Sequence, residues 1–123
     1  MTLTASSLVE RARAEIEHVS VEQAREFLQN DEYVFVDVRE RHERDAGSIP
    51  GSVHAARGSL EFYVDPQSAM HMPVFAAHKT YIFVCGSGGR AVLAAKLAQD
   101  FGLKTLCLTG GMRAWRESAG PLA

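Results

Sequence analysis

The sequence predicts an α/β domain built on a mainly parallel sheet, and three observations carry that expectation. Runs of β-branched and aromatic residues with little polar alternation occupy 33–38 ("YVFVDV"), 80–85 ("TYIFVC") and 104–109 ("KTLCLT"), the pattern of strands buried on both faces. Each run leads into a helical pattern, at 39–45, 91–101 and 112–118. Strand followed by helix, repeated along the chain, brings successive strands back parallel to one another.

The elements can be justified in order. Ser7 and Glu10 have the spacing of a capping box, with Leu8, Ala12 and Ile16 recurring on one helical face. Ser20 and Gln23 repeat the device, with Val21, Ala24, Phe27 and Leu28 as the apolar stripe. After the first long strand, Asp37 and Glu40 are placed to cap a short helix, along which Glu40 can pair with Arg44 or Arg39 with Glu43. Residues 47–72, rich in Gly, Pro, Ser and His, are expected to form loops and short helical turns over one end of the sheet. In the helix over 91–101, Leu93, Leu97 and Phe101 fall at i, i+4 and i+8, with Ala94 and Ala98 beside them and Gly102 in the C′ position. Gly110 and Gly111 allow a tight turn out of the last strand, and Trp115 is expected to bury its ring beneath the helix that follows.

With 123 residues the chain suits one domain around one core. An N-terminal helical extension is expected over 1–17 and a single domain over 18–123. Acidic and basic residues interleave to a net charge of −2, which leaves no basic patch and makes nucleic acid an unexpected partner. The N-terminus reads as a folded helix and not as a signal peptide, and no run approaches the ~20 apolar residues of a membrane span. A soluble, cytoplasmic protein with no membrane partner is expected. Cys85 and Cys107 lack CxxC spacing, and the five histidines form no HExxH or HxH pair, so neither a metal site nor a disulfide framework is indicated.

The chemistry points to "CGSGGR", residues 85–90. In open α/β sheets the functional crevice lies beyond the carboxyl ends of the strands, and Cys85 closes a predicted strand directly before a helix. Free N–H groups and the positive end of a helix dipole favour an anion there, and so favour a nucleophilic thiolate. Gly86, Gly88 and Gly89 allow the backbone to curl with its N–H groups inward. Ser87 has no GxSxG elbow around it and is expected to donate its hydroxyl to the cysteine sulfur. Cys85 is expected to be exposed in this cradle, and Cys107, between leucines, to be a core residue. Arg90 can meet an incoming anion or brace the loop on a carboxylate such as Glu43. His54 and His71 read as surface or hydrogen-bonded loop histidines.

Four segments taken together resemble a single-domain rhodanese, a sulfurtransferase: Asp37, Arg39 and Glu43 in an Asp-x-Arg-x-x-x-Glu segment, Gly-x-Ile-Pro-Gly at 47–51, the loop from Cys85 to Arg90, and Gly-Gly-x-x-Ala-Trp at 110–115. The similarity runs from about 18 to 118, with Ser48 where the family often has histidine. It implies a rhodanese-like α/β fold with a five-stranded, mainly parallel sheet and helices on both faces. It also implies that Cys85 carries sulfur as a persulfide, taken from thiosulfate with release of sulfite and passed to cyanide or a thiol, with no metal or organic cofactor. Gly86, Ser87, Gly88, Gly89 and Arg90 would hold the terminal sulfur, and Arg57 would border the mouth or remain a solvated charge. "CGSG" also resembles the start of mercaptopyruvate sulfurtransferase loops, so mercaptopyruvate and polysulfide are the alternative donors. Two readings of other classes remain at this point: a phosphatase or arsenate reductase of the CxxxxxR kind, against which the loop is one residue short, and a non-catalytic binding module.

Overall fold

In the computed structural model, which describes residues 2–123, five strands form one sheet in the order β1-β5-β4-β2-β3. The strands are β1 (His18–Val19), β2 (Tyr33–Asp37), β3 (Val53–His54), β4 (Thr80–Val84) and β5 (Lys104–Leu108), and all four pairings are parallel. The helices are α1 (Ala5–Glu15), α2 (Val21–Arg25), α3 (Arg41–Asp45), α4 (Leu60–Val64), α5 (Gly89–Asp100) and α6 (Gly111–Glu117), with 3-10 turns at Arg57–Ser59 and Pro73–Ala76. Parallel pairing brings the carboxyl ends of β2, β4 and β5 to one edge, where Asp37, Cys85 and the turn after Leu108 lie side by side.

Alternation along the central strands divides the core in two. Val36, Tyr81, Phe83 and Cys107 face α1, α4 and α5, while Phe35, Ile82, Val84 and Leu108 face α2 and α6. Trp115 is fully buried on the second face and donates its indole N–H to the Pro121 carbonyl at 2.8 Å, as a buried indole requires.

Three local expectations are corrected. The first helix begins earlier than the Ser7–Glu10 box: Thr4 is the N-cap, and Thr4 and Ser7 exchange side-chain-to-backbone hydrogen bonds of 3.0 Å each. Ser7 supplies the reciprocal acceptor otherwise given by Glu or Gln, so the helix gains a turn, and Leu8 stays 39% exposed. The Ser20–Gln23 box forms as expected, but α2 stops at Arg25, and Phe27 stacks on Tyr33 from the turn beyond it, ring centres 3.8 Å apart. On α5, the residues buried against the sheet are Ala91, Val92, Ala94, Ala95 and Ala98, small side chains that let the helix lie close; Leu93 and Leu97 are half-buried and border the groove shared with α1, and Phe101 is 46% exposed. A helix packed on both a sheet and another helix carries two stripes, and the leucines mark the second.

The tight turn into α6 holds Gly110 and Gly111 at φ +78° and +58°. A Cβ at Gly111 would stand 2.4 Å from the Cys85 carbonyl oxygen, so backbone meets backbone there with no room for a side chain. Gly102, at φ +92°, has nothing within 4 Å of the same position. Gly111→Ala is therefore expected to cost about 3 kcal/mol, strain and clash together, against about 1 kcal/mol for Gly102→Ala from strain alone. Chemical denaturation of the two variants checks the ranking.

Candidate active site

β4 ends at Val84, Cys85 follows, and Gly88, at φ +125°, is the N-cap of α5. The Cys85 sulfur accepts two backbone hydrogen bonds, from the Gly88 N–H at 3.0 Å and the Ala91 N–H at 3.3 Å. Of the residues expected to form the cradle, Gly88 supplies an amide to the sulfur; Ala91, one residue beyond the expected loop, supplies the other. N–H groups of the first helical turn have no partner within the helix, so a sulfur bearing negative charge satisfies them and gains from the dipole.

Two expectations fail here. Cys85 is only 1% exposed, because its side chain continues the alternation of β4 onto the face that holds Phe83 and Cys107, and the start of α5 covers it. Ser87 is exposed, and among the described residues its hydroxyl makes no hydrogen bond to the sulfur; the backbone amides do that work instead.

The loop is fixed from outside by its carbonyls. The Met112 N–H donates to the Cys85 carbonyl at 2.8 Å and the Arg113 N–H to the Gly86 carbonyl at 3.0 Å, both from the start of α6. These contacts were not legible in the sequence, although the close approach that Gly111 permits is its trace there.

A chain of charges fixes the loop from the other side. Arg39, 3% exposed, donates from its backbone N–H and Nε to Asp37 Oδ1 at 3.1 and 3.0 Å and from Nη2 to Asp37 Oδ2 at 2.9 Å. Burial opposes the Asp37 charge, but these bonds and the nearby Arg44 outweigh it and hold the carboxyl below its usual pKa. Asp37 therefore does not cap α3. Glu40 is the N-cap, and the Glu43 carboxylate accepts the Glu40 N–H at 3.1 Å. Nor do Arg39 and Glu43 pair through their side chains, or Glu40 and Arg44: Arg39 Nη1 donates to the Glu43 carbonyl at 3.3 Å, and Arg44 reaches Asp37 at 3.4 Å and Ser52 at 2.8 Å. Glu43 meets Arg90 instead, Nη1 to Oε1 at 2.7 Å and Nη2 to Oε2 at 2.9 Å. A Cβ on Gly86 would lie 3.3 Å from Arg90 Nη2, so this glycine makes room for the guanidinium.

Among the described residues, the other candidates make no side-chain hydrogen bond to the loop. Arg57 donates to Glu61 at 3.2 Å and lines the groove between α1 and α5 with Leu8, Leu93 and Leu97, a different cavity from the one that touches Gly86. That second cavity, of about 510 Å³, is lined by Glu43, Gly86, Met112, Arg113 and Arg116 among others. His54 Nε2 bonds the Arg39 carbonyl at 2.8 Å and His71 Nδ1 the Tyr63 carbonyl at 3.1 Å, both loop-bracing contacts. Burial pushes the Cys107 thiol up to about 12, as suits a core residue.

A family model for the rhodanese-like domain matches residues 20–118. The chain belongs to the rhodanese-like family. It is 33% identical over 108 residues to the Bacillus subtilis protein YtwF, provisionally named a sulfurtransferase, a match covering 87% of this chain and 97% of that one. It is 29% identical over 106 residues to the human thiosulfate:glutathione sulfurtransferase, covering 80% and 92% of the two chains. A solved Rhodopseudomonas palustris structure, described as a protein of unknown function and possible tyrosine phosphatase, superposes with a TM-score of 0.95 at 38% identity, over 100% of this chain and 96% of that one. In this rhodanese domain the expected parallel sheet, helices on both faces and Cys85 loop all stand in one frame.

The Arg90 bonds draw the Glu43 carboxyl down from 4.5 to about 2. Because the folded value is depressed, the pair's contribution is complete above the unfolded value near 4.5 and is lost progressively as pH falls from there through about 2. The Glu43 carboxyl carbon, followed by NMR, is expected to titrate with a midpoint near about 2 in the wild type and to return toward 4.5 in Arg90→Ala.

Proposed function

We propose that this protein is a sulfurtransferase that moves a sulfane sulfur from thiosulfate to a thiophilic acceptor through a persulfide on Cys85. The observation that carries the reading is the pair of N–H groups, Gly88 and Ala91, on one cysteine sulfur at a helix start. The Cys85 thiolate attacks the outer sulfur of thiosulfate, the S–S bond of the donor breaks, and sulfite leaves with the electron pair. The persulfide then carries its negative charge on the outer sulfur, and an acceptor attacks that atom and releases the Cys85 thiolate. Cyanide would leave as thiocyanate, and a small thiol as a new persulfide; the human relative is named for glutathione as partner. Mercaptopyruvate and polysulfide are the alternative donors, and the cytoplasm is the compartment we assign.

The phosphatase reading that the cysteine loop and its arginine leave open is echoed in the description of the Rhodopseudomonas palustris structure. A cysteine phosphatase needs its arginine turned toward the phosphate oxygens. Here both terminal nitrogens of Arg90 are on Glu43, and the loop has four residues between Cys85 and Arg90 where a phosphatase has five. A smaller cradle suits one sulfur atom better than a tetrahedral phosphate.

Thiocyanate release from thiosulfate and cyanide, run beside mercaptopyruvate and an aryl phosphate, is the direct assay, and thiosulfate is expected to be turned over while the aryl phosphate is not. Intact-mass and peptide analysis should find one added sulfur on Cys85, none on Cys107 and none in Cys85→Ser. An adduct that persists in Cys85→Ser would refute the assignment.

Inserting one glycine between Gly88 and Gly89 should cost transfer at least about tenfold while shifting Tm little, since lengthening a surface loop costs only a fraction of a kcal/mol but re-aims the amides. Paired kinetic and melting measurements test this.

A further inference from the structure

Arg90 stands in the first turn of α5, between Gly88 and Ala91, the two residues whose N–H groups hold the Cys85 sulfur. Its guanidinium crosses to α3 and meets Glu43 through two bonds of 2.7 and 2.9 Å, the fork-to-fork geometry that fixes orientation as well as distance. Glu43 is fixed in turn from its own side. Its carboxylate accepts the Glu40 N–H, and its carbonyl accepts Arg39 Nη1, while Arg39 is buried on Asp37 at the end of β2, the strand beside β4. A continuous path of bonded groups therefore runs from the sheet to the first turn of α5. That turn needs it, because first-turn N–H groups are not secured within the helix and the glycines at 86, 88 and 89 loosen the loop further.

We infer that Glu43 is a positioning residue for sulfur transfer, acting through Arg90 to keep the Gly88 and Ala91 amides aimed at the Cys85 sulfur. The inference rests on the sulfur-transfer reading, and it opposes a simpler role for Arg90. If Arg90 served as a free charge that attracts the dianionic donor, Glu43 would mask it, and removing the Glu43 charge would raise kcat/KM. If Glu43 positions the loop, removing its charge lowers turnover.

Glu43→Gln keeps the size of the side chain and loses the charged second acceptor. Its kcat with thiosulfate and cyanide is expected to fall about tenfold with KM within about twofold, since the amides act on charge that develops at the sulfur. Amide hydrogen exchange, read residue by residue by NMR, should speed up about tenfold at Gly88 and Ala91 while β2 and β4 keep wild-type protection. Glu43→Ala combined with Arg90→Ala should lose no more kcat than Arg90→Ala alone, because the two act as one unit. Should Glu43→Gln fail to fold, Glu43→Asp, which keeps the charge and withdraws it by one methylene, should show the same selective pattern with a smaller loss.

An unchanged or raised kcat/KM in Glu43→Gln, or exchange that quickens evenly across the domain, would overturn the inference. Exchange needs no sulfur donor, so the two readings fail separately. A wild type without transfer whose Gly88 and Ala91 exchange still depends on Glu43 would overturn the function and keep the positioning. An active wild type indifferent to Glu43 would do the reverse.

Discussion

Two backbone N–H groups on the Cys85 sulfur are the constraint on which the remaining structure turns, because amides can be aimed only by moving the chain that carries them. Gly88 and Ala91 belong to a loop and a first helical turn, the parts of a fold least able to hold themselves. The parallel sheet solves this by placing three strand ends together. The turn after β2 brings Arg39 and Glu43 to one side of the loop, and the turn after β5 brings Met112 and Arg113 to the other. Each neighbouring turn gives one clamp.

The clamp on the β2 side is built from charge, and it is organised for geometry more than for stability. A buried carboxylate and guanidinium cost several kcal/mol to remove from water and recover that only when their bonds are complete. Asp37 and Arg39 come close to completeness: three bonds join them, and Arg39 gives two of its three remaining guanidinium donors to the carbonyls of Glu43 and Gly47. The chain thereby closes the Asp37–Gly47 loop with an ion pair at its base. Glu43 emerges from that loop with its carboxylate on Arg90 and on the Glu40 N–H.

Much of this frame was legible in the sequence because the signals are local. Unbroken β-branched runs mark buried strands, Ser20 and Gln23 mark a helix start, Gly102 marks a helix end, and a glycine-flanked cysteine before a helix marks a loop whose backbone N–H groups can turn toward the sulfur. What the sequence hid depends on tertiary direction. Leu93 and Leu97 announce a buried stripe but not that it meets α1 in place of the sheet. Asp37 has the spacing of a cap, yet the buried guanidinium beside it outbids the helix N–H groups. Cys85 looked exposed because its neighbours are glycines, whereas strand alternation carries its side chain inward. Ala91 was missed because an alanine shows nothing of its backbone, and the backbone is what acts at the sulfur.

The clamp on the β5 side also sorts dipoles. A loop curled around an anion has N–H groups and carbonyls in equal number, and carbonyl oxygens facing the sulfur would repel it as strongly as the amides attract. The carbonyls of Cys85 and Gly86 are drawn outward by the Met112 and Arg113 N–H groups, which leaves the inner surface to the donors. The approach is close enough that Gly111 can have no side chain, since a Cβ would stand 2.4 Å from the very oxygen being held. The Gly-Gly pair after β5 therefore bears on the electrostatics of a cysteine more than twenty residues earlier in the chain.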